Sequence, residues 1–146
     1  MTLAISSHGT LIAYQQTPGG PFITISEQGA ITPPEMHRNE FDATTQNINI
    51  DAYVMGVLRR GTLDFPINYL PGDTTQDAIL GLMGLLKSNT VTGFKVTFPD
   101  VAATQWIMSG QLKSIKPAAP EDGKLAATVS VRMSGLMSIG GVVFGT

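Results

Sequence analysis

The 146-residue chain carries two histidines, His8 and His37, in neither an HExxH nor a His-x-His spacing, so their pattern is not that of a zinc pair. Glu40 and Asp42 stand two apart, which on an extended strand puts both carboxylates on one face; Glu35 and His37 share a parity in the same way. Paired carboxylates can do acid–base work, but in so polar a stretch the pair reads as a solvated acidic face. Ser6-Ser7-His8 lacks the strained Gly-x-Ser-x-Gly elbow. Gly19-Gly20, Gly140-Gly141, Gly81 and Gly84 form neither a phosphate-cradling loop nor a dinucleotide fingerprint. Cysteine is absent, which removes disulfides, thiolate chemistry and cysteine-type zinc sites together. The nine basic residues are scattered and draw no stripe that would grip phosphates. No set of residues converges on a reaction, and the expectation is a non-enzymatic protein with no cofactor and no metal.

The elements that carry these residues must then carry the function. With 42% hydrophobic and only 14% charged residues, the chain has the length for one core, and its low charge suits a protein surrounded by other protein. A single domain over residues 1–146 is expected. Residues 124–134 alternate without error, with Leu125, Ala127, Val129, Val131 and Met133 on one face and Lys124, Ala126, Thr128, Ser130, Arg132 and Ser134 on the other. At about 3.3 Å per residue this strand runs roughly 36 Å and needs an equally long partner. Residues 104–115 supply it, with Trp106, Met108 and Leu112 on one parity and Ile107 and Ile115 on the other; KPAAPEDGK brings two prolines and an Asp-Gly for the turn. Further strands are marked by FITIS at 22–26, by residues 36–45 with Arg38, Glu40 and Asp42 outward, and by Phe94, Val96 and Phe98. In TLDFPINY at 62–69, Leu63, Phe65, Ile67 and Tyr69 point inward and Pro66 argues for an edge or a bulge. Residues 46–61 alternate from Ile48 to Val54 and lose phase at Met55-Gly56, which suits a long loop or a flexible hairpin, and Arg59-Arg60-Gly61 reads as a turn.

One helix is expected after Pro71. Asp73, Thr74 and Thr75 offer caps, Gln76 and Asp77 fall in the first turn, and Ala78, Ile79, Leu82, Met83 and Leu86 share a face. Gly81 and Gly84 each cost up to about 1 kcal/mol against alanine, so the helix relies on packing. Residues 1–20 read as a flexible arm with at most one strand, from Leu11 to Tyr14, and the apolar, glycine-rich 136–146 as a C-terminal tail that docks on something. MTLAISSHGT lacks a basic region ahead of a long apolar run, and the apolar run at 79–86 is too short to span a bilayer, so neither a signal peptide nor a membrane partner is expected. The class is mainly β with one helix.

The order RGTLDFPINYLPGDTTQDAILGLM, VTGFKVTFPD, WIMSGQLKSIKPAAPEDGKLAATVSVRMSG resembles the major tail tube proteins of long, non-contractile-tailed bacteriophages, and FDATTQ at 41–46 resembles that family's Asp-x-Thr segment ahead of its long loop. The most specific piece is the hairpin, with Pro120, the acidic turn Glu121-Asp122 and the alternating strand ending in Ser134-Gly135. The likeness covers 40–135, with a modest match before it and a departure in the apolar tail after it. It implies a β-sandwich or barrel flanked by a single α-helix, six protomers to a ring, inner strands joined into a continuous barrel, and rings stacked into the hollow tube of a virion tail. Assembly would take place in the host cytoplasm. The implied partners are further copies of the chain, a tape measure protein, a tail terminator and a tail tip or distal tail protein; DNA would pass through the lumen without being specifically bound. Lysine or arginine aimed at a lumen would favour phosphate contact, so a neutral to acidic lumen is expected. Contacts between subunits or rings are expected at Arg59, Arg60, Asp51, Tyr53, Glu40 and Asp42, with a solvated turn the plain alternative for the two arginines. The arm, the 46–61 segment and the tail are expected to order against neighbouring protomers. Two other readings stay open: a terminator or completion protein that forms one ring and stops, and a small β-sandwich binding module.

Overall fold

The computed structural model describes residues 4–144, apart from the side chain of Leu136. In chain order its elements are β1 (Leu11–Gln15), β2 (Phe22–Thr24), β3 (Met36–Asp42), β4 (Tyr53–Arg60), β5 (Thr62–Asn68), α1 (Leu82–Ser88), β6 (Thr92–Thr97), β7 (Gln105–Ala118), β8 (Ala126–Ile139) and β9 (Val142–Phe144). Seven strands form one antiparallel sheet in the order β2-β1-β6-β7-β8-β5, with β9 also on β8, while β3 and β4 form a separate two-stranded sheet. Helix α1 packs on β7. The chain is mainly β with a single flanking helix, as its patterning implies.

The β7–β8 hairpin is the spine, and two register shifts bend it. Leu112 faces Val131 and Ser114 faces Ser130, so β7 holds an extra residue there and its parity flips. This is why Ile115, off phase in the sequence, packs on the same core as Trp106, Met108 and Leu112. Further along, Met108 faces Met137 and Gly110 faces Met133; the surplus lies on β8 around Gly135, whose φ of 78° glycine adopts without strain. The first half of β8 then pairs with β5 and its end with β9.

Residues 25–32 close the sheet on itself. The Ile25 amide donates to the Ile12 carbonyl at 3.1 Å, and the Gln28 side chain accepts from the Ile12 amide at 2.6 Å while donating to its carbonyl at 3.4 Å. On the outer edge of β5, the amides of Gly29 and Thr32 donate to the carbonyls of Pro66 and Asp64, each at 2.8 Å. Pro66 thus sits at an edge, where its missing donor breaks no ladder. The enclosed core holds Ile12, Tyr14, Leu63, Phe65, Phe94, Val96, Val129 and Val131, and Trp106 meets Phe98 edge-on at 5.4 Å.

Several sequence expectations change. The helix starts late because Asp77 accepts the amides of Ile79, Leu80 and Gly81 at 3.2, 3.0 and 2.8 Å, so the chain turns instead of coiling until Gly81 caps α1. A Cβ on Gly81 would fall 2.2 Å from the Asp77 nitrogen, so the turn needs glycine. Ile79, placed on the buried face by its spacing, is 82% exposed; Leu82 is buried as that spacing expects, and Leu85, off the expected face, is buried beside it. Leu125 precedes its strand and is half-exposed. Within the expected arm, Ile12 and Tyr14 are fully buried, and the Tyr14 hydroxyl lies within hydrogen-bond reach of the Thr75 and Leu80 carbonyls. The tail also docks on its own sheet: Met137 is buried, and the Gly140-Gly141 turn, φ 57° and 92°, folds β9 back onto β8. Residues 1–3 and 145–146 of the arm and tail lie outside the described residues.

Candidate interaction surface

Outside the barrel, the β3–β4 hairpin collects the expected contact residues. Asp42 faces Tyr53, Glu40 faces Met55, His37 faces Arg59 and Met36 faces Arg60; Asp51 lies in the connecting loop. The structure therefore brings all six to one hairpin, and places Arg59 and Arg60 at the end of a strand rather than in a turn. His37 falls on the opposite face from Glu40 and Asp42, so these three side chains do not converge. Among the described residues no group of three or more His, Asp or Glu could hold a metal ion, and no helix is long and apolar enough to cross a membrane.

The hairpin's geometry depends on residues that strand patterning passed over. Arg38 faces Leu58, but Glu40 already faces Met55, so Gly56 and Val57 together oppose Asn39 in a bulge. Arg38 Nη1 holds the bulge by donating to the Gly56 carbonyl at 2.8 Å, and the Phe41 ring lies 3.1 Å from where a Gly56 Cβ would stand. The loss of phase at Met55-Gly56 was this bulge's trace in the sequence. The loop mouth is pinned as well: Thr44 Oγ1 accepts from the Ala52 amide at 2.8 Å, and the Ala43 amide donates to the Ala52 carbonyl at 2.7 Å. Asp42 accepts from the Thr44 amide at 2.9 Å, a bond that holds its carboxyl below the usual carboxylate range.

What the hairpin presents is mostly apolar. Phe41, Tyr53, Val54, Met55 and Val57 are each more than half exposed, and Ile50 in the loop is 79% exposed. At the base, where the Gly61 amide donates to the Glu35 carbonyl, Arg60 is half-buried, with Nη1 shut off from solvent and without a hydrogen-bond partner. A closed and filled barrel, a flanking helix and an outlying hairpin that shows apolar side chains to solvent describe a structural protein whose chemistry is association.

Comparison with known proteins agrees. Residues 8–140 match the family described as Lambda phage tail tube protein, TTP. The chain belongs to that family, a family of virion tail structural proteins and not of enzymes. Among solved structures, the tail of an empty gene transfer agent (GTA) particle refined with C6 symmetry superposes with a TM-score of 0.75 at 20% identity, covering 92% of this chain and 98% of that one. The SPP1 tail tube gives 0.73 at 12% identity over 94% and 80%. The tube-terminating cap of the anti-feeding prophage gives 0.69 at 9% identity over 95% and 92%. No curated protein matches the chain by sequence.

Proposed function

We propose that copies of this chain form six-membered rings that stack into the hollow tube of a phage tail, through which DNA is delivered. The observation that carries this reading is the β3–β4 hairpin. A two-stranded hairpin is marginal in water by itself, and this one stands apart from the barrel sheet with Phe41, Tyr53, Val54, Met55 and Val57 exposed. Such a surface is stable in an aqueous cell once another protein covers it. Asp51, Tyr53, Glu40, Asp42, Arg59 and Arg60 lie on or beside that surface and are assigned to contacts between subunits or rings. The C6 symmetry of the gene transfer agent tail supports six as the ring number. A tape measure protein inside the tube, a terminator at one end and a tail tip protein at the other complete the set of partners, with assembly in the host cytoplasm. The lumen is neutral to acidic, so that DNA slides without being held.

Negative-stain electron microscopy at rising protein concentration, with light scattering on the same samples, tests this. Hollow tubes of uniform width are the expected result. Single rings that never stack would favour the terminator reading, which the likeness to the prophage cap supports. Particles that stay monomeric even with tail-tip seeds would overturn the tube.

A further inference from the structure

The bulge at Gly56 and Val57 decides which charges share a face of the hairpin. Strict alternation along β4 would place Arg60 opposite in face to Tyr53 and Met55. With the bulge, the cross-strand pairs Asp42–Tyr53, Glu40–Met55, Arg38–Leu58 and Met36–Arg60 all fall on one face. That face is charge-segregated: Asp42 and Glu40 lie toward the loop, with Asp51 beyond them, and Arg38 and Arg60 lie toward the barrel. Arg38 is engaged by the Gly56 carbonyl, whereas the Arg60 side chain makes no hydrogen bond or ion pair among the described residues. Its guanidinium is already partly desolvated, with Nη1 buried and lacking an acceptor, a state that costs free energy in the isolated chain. The Glu40 carboxylate, in contrast, is exposed and makes no side-chain hydrogen bond among the described residues.

We propose that the solvent-accessible part of the half-buried Arg60 pairs with the Glu40–Asp42 end of the same hairpin face on a second copy of this chain. The distance along the hairpin separates the two ends within one copy, so the pairing runs between copies. Each copy carries both ends: paired reciprocally about a two-fold axis they would close a dimer, whereas in the tube proposed above the acidic end of one hairpin meets the basic base of the next and the contact propagates. Because the ends differ in sign, like ends repel and an acidic end meets a basic base. The inference rests on the self-assembly proposed above and adds to it a charge pair that joins the copies.

A charge swap tests it. Arg60→Glu alone and Glu40→Lys with Asp42→Lys alone should each raise the concentration needed for polymerisation at least about tenfold. Mixed in equal amounts, the two variants carry complementary ends and should polymerise together near the wild-type concentration. Glu40→Lys alone changes an exposed carboxylate and keeps the Asp42–Thr44 bond, so it tests the pairing even if Arg60→Glu fails to fold; in that case Glu40→Lys polymerising like wild type overturns the proposal. Two folded variants that each fail to polymerise and show no recovery on mixing, while wild type forms tubes, overturn the pairing and leave the tube reading intact. A wild-type chain that never polymerises overturns both.

Discussion

Gln76 is 2% exposed, and its amide is nearly fully used. Its Oε1 accepts from the Leu70 amide at 2.9 Å, and its Nε2 donates to the carbonyls of Ser26 at 2.9 Å and Asn68 at 3.3 Å. One side chain thereby fixes the segment before α1 to the end of β5 and to residues 25–32, which close the barrel. Gln76→Leu keeps the volume and strands those backbone groups, so the chain should lose about 2–4 kcal/mol, read as a lower midpoint in urea with an unchanged slope. Exposed carboxylates act more mildly. Asp73 is held low mainly by the Thr75 hydroxyl, Asp77 by the Gly81 amide and Asp100 by the Thr104 hydroxyl. A carboxyl depressed in the folded state contributes stability above its unfolded pKa, and that contribution is lost as pH falls through the folded value. Melting temperature should therefore hold near neutrality and fall below about pH 4, with a shallower fall in Asp100→Asn.

At the scale of elements, the turn into α1 shows why a periodic stretch did not become a longer helix. The spacing of Ala78, Ile79, Leu82, Met83 and Leu86 satisfies a helical face, yet the Asp77 carboxylate competes for the same amides that a helix would use. Gly81→Ala puts a methyl against backbone atoms of Gln76 and Asp77 and should cost about 2 kcal/mol or more, measured by chemical denaturation. An unchanged midpoint would mean that the turn relaxes into regular helix. The β strands were easier to anticipate, since one buried face imposes a period of two on each of them. Their interruptions were not. The bulges on β7 and β4 each leave a parity error in the sequence, at Ile115 and at Met55-Gly56, but a parity error alone does not say whether a strand bends, ends or continues.

For the whole molecule, the separation between barrel and hairpin allows folding and association to be uncoupled. Val54→Asp with Val57→Asp changes side chains on the hairpin face opposite Arg60, outside the barrel core. The doubly substituted chain should melt within about 0.5 kcal/mol of wild type, as surface changes do, and should form no tubes by electron microscopy. Loss of folding instead would show that the hairpin supports the barrel directly.

The sequence by itself determined the mainly β class, the long hairpin, the inward residues of β5, β6 and β8, and the family, because alternation and turn chemistry are local and survive in one dimension. It named Glu40, Asp42, Asp51, Tyr53, Arg59 and Arg60 from two separate stretches, and the tertiary structure brings them to one hairpin. Only the tertiary structure decided that β1 is a core strand, that residues 25–32 close the sheet, and that the tail folds onto β8. Each of those depends on which edges remain unpaired once the other strands have met, and an unpaired edge is a property of the assembled sheet that no single segment contains.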